Sequence, residues 1–164
     1  MQLRQFIHTF EPIINSQSKI LILGSVPSVA SVTQGFYYMH PQNRFWRLLA
    51  ALTGKDFVSQ SFEGKKALLL QSKIALYDAV VKCEIIGSSD LKVKNAQPAD
   101  IKKLIENTDV KKVFCNGSLS YKTTLKNNPA LSGIIIPLPS TSPANAVFTL
   151  DMLIESWKII LNEL

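Results

Sequence analysis

Four short apolar runs, separated by segments with helical character, constrain the fold of this chain more than any other feature. Each run is bounded by polar residues or glycine, as buried strands are. The runs cover residues 19–24, 74–81, 112–115 and 133–138, and helices are predicted over residues 3–10, 43–52, 62–73, 98–107, 118–126 and 149–164. Strands that alternate with helices favour parallel βαβ units, so the predicted fold class is α/β, with helices on both faces of a sheet. Pro137 in the last run indicates either the edge of that sheet or the end of the strand.

The size and the net charge of the chain limit the number of domains and the class of partner to be expected. Its 164 residues suit a single domain over residues 1–164. The 18 lysines and arginines outnumber the 12 aspartates and glutamates, which gives a net charge of +6 and favours polyanionic partners such as nucleic acid. The lysine pairs at 65–66, 102–103 and 111–112 are predicted to lie on solvated faces. No phosphate-binding loop or dinucleotide-binding glycine pattern occurs, which disfavours nucleotide hydrolases and dehydrogenases.

The two cysteines, Cys83 and Cys115, form no CxxC motif or Cys/His cluster, so no metal site is expected. Cys115 lies in an apolar run and is predicted to be a core residue, whereas Cys83 is predicted to lie in a loop. Low cysteine usage fits a reducing cytosol, and a cytoplasmic location is expected. No signal peptide is expected at the N-terminus, and no apolar run has the length of a membrane span.

A long loop follows the first predicted strand and is expected to form the wall of a binding pocket. It carries serines, aromatic residues, a histidine and an asparagine, and a loop of this length within a compact domain is usually functional. In parallel sheets, ligands bind beyond the carboxyl ends of the strands. The segments at those ends are therefore expected to converge on one cleft: residues 24–43, 78–90, 116–117 and 139–146. Residues 82–97 are polar and are predicted to form a loop.

Several polar residues of the expected cleft also have an ordinary structural explanation. Asn43 could act in catalysis or could cap the helix that follows it, and the pattern alone favours the cap. Asn116 could contact a base edge or could serve the turn that Asn-Gly favours. Of Tyr37 and Tyr38, one is expected to be buried and the other to be presented to a planar ligand.

Three further side chains of this region offer chemistry of their own. His40 could act as a general acid or base, or could simply be exposed. Asp78, at a predicted strand end, could act as an acid or base, or as a structural hydrogen-bond acceptor. Ser25 is not expected to be a nucleophile, because GSVPS lacks the final glycine of a nucleophile elbow and no Asp…His pair follows in the required order. Residues 140–145 could contact a phosphate backbone or could form an ordinary turn.

Taken together, the segments GSVPS, GFYYMHPQNRFW and LPSTSPANA resemble the uracil-DNA glycosylase superfamily, and most closely its hypoxanthine (deoxyinosine) branch. The mismatch-specific uracil-DNA glycosylases share the HPxNRFW element. The resemblance implies a three-layer α/β/α sandwich with a four-stranded parallel sheet. It also implies a monofunctional glycosylase, without metal or cofactor, that flips a deaminated base out of DNA and hydrolyses its N-glycosidic bond. Hypoxanthine is the first expected substrate, with uracil and xanthine as further candidates. The implied partner is DNA that contains deaminated bases, and the protein is expected to be a monomer, associated with the nucleoid in a bacterium.

The resemblance implies roles for the matching residues, and His40 and Asp78 complete the predicted substrate pocket. Tyr38 is the expected stacking platform under the flipped base. Asn43 matches the asparagine used for the attacking water, and Asn116 matches a second functional asparagine that contacts base or water. Backbone N–H groups are expected to contact base or phosphate at Gly24, Ser25, Val26 and Ser28. The loop expected to grip DNA contains Ser140, Thr141, Ser142, Pro143 and Asn145.

The chain departs from the family pattern at three points. Val26 stands where many members carry Asn or Asp, so the usual water-activating group is missing. The loop STSP lacks the histidine that several branches carry, and Met39 stands where a smaller residue is expected. The alternative function is a non-catalytic nucleic-acid or nucleotide-binding module on the same fold.

Overall fold

A computed structural model describes residues 3–7, 10–86 and 93–164. The elements follow one another as β1 (Leu3–Ile7), β2 (Ile20–Gly24), α1 (Val29–Gln34), α2 (Phe45–Thr53), α3 (Phe62–Gln71), β3 (Ile74–Asp78), β4 (Val80–Ile86), β5 (Val93–Pro98), α4 (Ile101–Ile105), β6 (Lys112–Asn116), α5 (Ser118–Asn127), β7 (Ile135–Leu138) and α6 (Leu150–Trp157). Two 3₁₀ helices, Pro129–Ile134 and Lys158–Glu163, precede β7 and follow α6.

The central sheet is parallel, with its four strands in the order β3-β2-β6-β7. Gly24 at the end of β2 pairs with Asp78 at the end of β3. Asn116 at the end of β6 pairs in the same way with Leu138 at the end of β7. Because the strands are parallel, these four residues lie along one edge of the sheet. Of the two alternatives that Pro137 indicated, the sheet edge is confirmed, since β7 is an edge strand.

Helices cover both faces of this sheet. Successive side chains of a strand point to opposite faces. Ile20 and Ile22 pack in a core with α2, α3 and α6, whereas Leu21 and Leu23 pack in a second core with α4 and α5. The predicted three-layer α/β/α sandwich with a four-stranded parallel sheet is therefore confirmed. None of the described helices is long and apolar enough to cross a membrane.

A second sheet, antiparallel and three-stranded, corrects two sequence predictions. Its order is β1-β4-β5. Residues 3–10 were expected to be helical, but Leu3–Ile7 form a strand that pairs with β4. Residues 82–97 were expected to be a loop, but all of the described ones belong to β4 and β5; residues 87–92 lie outside the described part of the chain. These strands form because of pairings between distant segments, which local polarity does not reveal.

Several element boundaries also differ from the sequence predictions. The strand expected over residues 74–81 ends at Asp78, and β4 starts at Val80 and enters the second sheet. Pro98 does not open a helix: it ends β5, and α4 begins after Asp100, whose Oδ1 accepts a hydrogen bond from Lys103 N. The long loop contains the short helix α1. The last helix changes from α to 3₁₀ after Trp157.

Two side chains that were expected at the surface or in a loop are buried. Cys83 lies on β4 and is 2% exposed. Lys65 is 6% exposed, and its ammonium group donates to Gln60 O at 2.7 Å and Val58 O at 3.3 Å. It also lies 5.6 Å from the ring of Trp46. Burial lowers the pKa of Lys65, and these carbonyls and the ring replace the water that the charge loses.

Candidate active site

A cleft of about 950 Å³ opens at the carboxyl edge of the parallel sheet. Its lining includes every residue that the sequence predicted to contact substrate or DNA: Gly24, Ser25, Val26, Ser28, Tyr38, His40, Asp78, Asn43, Asn116, Ser140, Thr141, Ser142, Pro143 and Asn145. The expected convergence is confirmed except for one segment. Of residues 78–86, which the structure describes, only Asp78 lines the cleft, because the chain then turns into the second sheet.

Gly24 forms the floor of the cleft between two polar side chains. A Cβ atom at Gly24 would lie 2.3 Å from Asp78 Oδ1 and 2.8 Å from the Tyr38 hydroxyl. Both groups therefore approach the main chain at a point that only glycine leaves open. Asp78 is 4% exposed. A carboxylate, a phenol and the start of the loop are thus held together at the end of β2.

The two adjacent tyrosines divide as expected into one buried and one presented ring. Tyr37 is buried, and its hydroxyl donates to Glu11 O at 2.8 Å. Burial, and secondarily the charge of Asp78, raises the pKa of Tyr37 far above its usual value, so this phenol stays neutral. Tyr38 is half-buried and lines the cleft.

Tyr38 is held rigidly against a neighbouring aromatic ring. Its ring stacks on that of Phe45, with centroids 4.1 Å apart and an interplanar angle of 25°. Its backbone has φ of 55°, a left-handed conformation that is costly for a bulky residue and persists only where the surroundings impose it. Trp46 Nε1 donates to Tyr37 O at 3.0 Å, and Met39 N donates to Ser31 Oγ at 2.9 Å, so the chain on both sides of Tyr38 is fixed.

Asn43 and Asn116 are joined through Thr141. The Thr141 hydroxyl donates to Asn43 Oδ1 at 2.8 Å and accepts from Asn116 Nδ2 at 3.0 Å. Thr141 N also donates to Asn116 Oδ1 at 2.9 Å. Asn43 is not the N-cap residue of α2, a position taken by Arg44, but its Oδ1 accepts from Phe45 N at 3.0 Å. The structural and the functional interpretations of Asn43 are therefore compatible.

Thr141, which was expected to contact DNA, has a fully buried side chain. Thr141 is 0% exposed, and its hydroxyl and amide are both occupied by the asparagines. Its neighbours Ser140 and Ser142 are half-buried at the cleft. The side chain of Thr141 thus supports the site from beneath.

Arg44 is a residue of this site that sequence reasoning missed. Its guanidinium group donates to four carbonyl oxygens of the loop between β7 and α6: Ser142 O at 2.8 Å, Asn145 O at 3.1 Å, Thr141 O at 3.3 Å and Phe148 O. An arginine has five N–H donors in a fixed planar fork, which suits several carbonyls at once. The sequence feature that could have indicated Arg44 is a lone arginine beside the apolar residues Phe45 and Trp46 in NRFW. Arg44 thereby fixes this loop over the cleft.

Val26 and His40 complete the lining. Val26 packs against the small apolar cluster of Val80 and Cys83, so the side chain at this position contacts the second sheet. His40 is half-buried, and its Nδ1 accepts from Gln42 N at 3.1 Å. Among the described residues, no three or more His, Cys, Asp or Glu side chains are grouped closely enough to hold a metal ion.

Comparison with known proteins identifies the family. Residues 11–161 match the family model described as the uracil DNA glycosylase superfamily. The chain belongs to this superfamily. The predicted class of enzyme, a DNA glycosylase acting on deaminated bases, is confirmed at the level of the family.

Relatives and a solved structure agree with the assignment to the uracil DNA glycosylase superfamily. A hypoxanthine DNA glycosylase from Methanosarcina acetivorans is 31% identical over 143 residues, which span 85% of this chain and 89% of that protein. A hypoxanthine DNA glycosylase from Methanosarcina barkeri is 38% identical over 88 residues, and the match spans 54% of this chain and 56% of that protein. The solution NMR structure of a candidate uracil DNA glycosylase from M. acetivorans superposes with a TM-score of 0.78 at 30% identity, covering 92% of this chain and 93% of that one.

Proposed function

We propose that the chain is a monofunctional DNA glycosylase that removes deaminated bases, with hypoxanthine as its first substrate and uracil and xanthine as further candidates. The observation that carries the proposal is the two amides, Asn43 and Asn116, linked through the Thr141 hydroxyl in a cleft beside the stacked Tyr38. The relatives named hypoxanthine DNA glycosylase support the choice of base. A cavity of about 950 Å³ is large enough for a purine nucleotide.

The geometry suggests how such a reaction would proceed. The glycosidic bond cannot be reached inside the base stack, so the target nucleotide must rotate out of the duplex into the cleft. The ring of Tyr38, backed by Phe45, would stack on the flipped base. The transition state places positive charge on the sugar and negative charge on the departing base, so polar groups fixed before the reaction lower the barrier. Water then completes hydrolysis and leaves an abasic site.

The DNA strand would be held by the loop that Arg44 fixes. Half-buried or exposed polar groups at Ser140, Ser142 and Asn145, together with Pro143, line the cleft at this loop. Ser28, on the other side of the cleft, is partly occupied as the N-cap of α1. The net charge of +6 would add affinity for DNA that is independent of sequence and falls with salt. We further propose a cytoplasmic monomer that acts as a single glycosylase domain.

One observation favours the alternative of a non-catalytic DNA-binding module. Val26 occupies the position where many members of the family carry an amide or carboxylate, and its side chain packs against the second sheet. Under this alternative the protein would bind DNA that contains a damaged base without producing an abasic site.

A strand-nicking assay after alkali separates the two functions. Labelled duplexes would carry deoxyinosine, deoxyuridine or deoxyxanthosine opposite each normal base. We expect nicking first at deoxyinosine, and a loss of about 100-fold or more in the single-turnover rate of Asn43→Ala. Asn127→Ala is the matched control, because Asn127 is exposed at the far end of α5. Binding to every duplex without any nicking would favour the binding module.

A further inference from the structure

The orientation of both amides in the cleft is determined by backbone N–H groups. A backbone N–H can only donate, so Asn43 must present Oδ1 to Phe45 N, and Asn116 must present Oδ1 to Thr141 N. The Nδ2 of Asn116 then donates to Thr141 Oγ1, which leaves the single hydroxyl hydrogen of Thr141 for Asn43 Oδ1. Only one assignment of donors and acceptors is consistent with all four hydrogen bonds, so the oxygen and the nitrogen of each amide each have one position.

As a result, Asn43 offers only donors to a ligand. Both lone pairs of Asn43 Oδ1 are engaged, by Phe45 N and by the Thr141 hydroxyl. No residue in the described part of the chain accepts a hydrogen bond from Asn43 Nδ2, although Asn43 lines the cleft. Asn116 Nδ2 retains a second N–H beyond the one given to Thr141.

We propose that Thr141 is a positioning residue that holds Asn43 as a hydrogen-bond donor to the flipped base, and that this donor selects hypoxanthine over adenine. The inference rests on the proposed function and names the chemical group that the site recognises. Deamination replaces an exocyclic amino group, which donates, with a keto oxygen, which accepts. Hypoxanthine therefore presents O6 and N7 as acceptors, where adenine presents the N6 amino donor beside N7. An N–H of Asn43 directed at the exocyclic position can donate to O6 of hypoxanthine, whereas it opposes the N6 amino group of adenine.

The same geometry indicates that Asn43 donates a hydrogen bond to the leaving base and does not activate the attacking water. Since Oδ1 of Asn43 is fully engaged, it cannot accept a proton from an attacking water. When the C1′–N9 bond of deoxyinosine breaks, its electron pair departs with the base, and an N–H donor stabilises the negative charge that develops there. Water supplies the hydroxyl group to C1′ and a proton to the released base.

Asn43→Asp tests this assignment, with Asn43→Ala beside it. Aspartate keeps an oxygen for Phe45 N and the Thr141 hydroxyl, but turns an acceptor towards the base. We expect Asn43→Asp to excise hypoxanthine no faster than Asn43→Ala. A carboxylate is also the better base for a water, so an Asn43→Asp enzyme at or above the wild-type rate would overturn the inference while leaving the glycosylase function intact.

Binding to uncleaved DNA provides a measurement that does not depend on turnover. Duplexes would carry 2′-fluoro-deoxyinosine or 2′-fluoro-deoxyadenosine, because the fluorine slows base loss by destabilising the cationic sugar. We expect the wild type to bind the deoxyinosine duplex about tenfold more tightly than the deoxyadenosine duplex, and Asn43→Asp to lose this preference. Wild-type protein without any preference would overturn the inference. Failure of the wild type to cleave ordinary deoxyinosine DNA would instead overturn the proposed function.

Two substitutions at Thr141 test its role in positioning. Thr141→Val keeps the shape but removes the hydroxyl that holds Asn43 Oδ1 together with Phe45 N, and we expect the preference for deoxyinosine over deoxyadenosine to fall below that of the wild type. Thr141→Ser keeps the hydroxyl and is expected to retain the preference. A merely structural role would lower the melting temperature of Thr141→Val without changing the ratio of the two affinities, and that result would overturn the role assigned to Thr141.

Discussion

At the scale of single residues, the site requires a glycine at position 24, because a glycine has no side-chain atoms. The Asp78 carboxylate and the Tyr38 hydroxyl both occupy the space where a Cβ would lie. Tyr38 cannot move away freely, because its other side is stacked on the buried ring of Phe45. The position of the Tyr38 ring, the proposed stacking platform, therefore depends on the absence of a Cβ atom at Gly24.

We expect Gly24→Ala to lose base-excision activity and to destabilise the fold. The methyl group would overlap Asp78 Oδ1 and the Tyr38 hydroxyl, at a cost of about 1–3 kcal/mol in the free energy of unfolding. Urea unfolding and the nicking assay measure the two effects. Gly133→Ala is the control, because no atom lies within 4 Å of the position of its Cβ. Equal stabilities for the two variants would contradict the steric explanation.

At the scale of elements, Arg44 joins α2 to the loop between β7 and α6. The loop is also held within itself and from α6, since Asn145 Nδ2 donates to Ser140 O and Trp157 Nε1 of α6 donates to Pro139 O, both at 3.0 Å. Arg44 differs because one side chain next to α2 bonds to several carbonyl oxygens along the loop. The conformation of the proposed DNA-contacting loop therefore depends on a side chain that precedes it by about a hundred residues.

We expect Arg44→Lys to loosen this loop while the parallel sheet stays intact. A lysine ammonium cannot reproduce the planar fork that reaches four carbonyls, so two or more hydrogen bonds would be lost, at about 1–3 kcal/mol. Hydrogen exchange should rise at the amides of residues 141–148 and remain unchanged in β2 and β6. The affinity for DNA should fall as the loop loosens.

Arg47→Lys is the control for this substitution, because Arg47 lies on the same helix and is exposed. If Arg44→Lys and Arg47→Lys showed the same exchange in residues 141–148, the guanidinium group would not be what holds the loop.

At the scale of the whole molecule, the two cysteines lie in apolar cores of different size. Cys115 is 0% exposed in the core between the parallel sheet and helices α4 and α5, and burial raises the pKa of its thiol. Cys83 is buried in a small cluster with Val80, against which Val26 and Val32 pack. A region with few buried apolar side chains opens at a lower free-energy cost than a large core.

We expect both thiols to be unreactive towards a thiol reagent in the native protein and to become reactive in order as urea is added. Cys83 should react first, when the antiparallel sheet opens, and Cys115 only with global unfolding. Cys83→Ser and Cys115→Ser, each with one remaining thiol, separate the two signals. Simultaneous reaction of both thiols at every urea concentration would show that the two sheets unfold as one unit.

The parts of the fold that the sequence predicted are those encoded locally. The strands of the parallel sheet are short apolar runs because both of their faces are buried, and their order with the helices requires a parallel sheet. The carboxyl ends of such strands must meet at one edge, which is why Asn43, Tyr38 and Asn116 could be placed in one cleft before their contacts were known. The strand ends Gly24 and Asp78 were found by the same argument.

Other features were decided only by the tertiary structure. β1 and β4 are not apolar runs with a clear period; they form a sheet because segments about eighty residues apart pair with each other. The hydrogen bond between Thr141 and Asn43 joins residues that are 98 positions apart, and Arg44 contacts carbonyls at a similar separation. The sequence by itself determined that the segments after β2, β6 and β7 line the cleft, because strand ends and motifs are local. It did not determine that Thr141 is buried or which way the amides face, because hydrogen-bond direction depends on partners that only folding brings together.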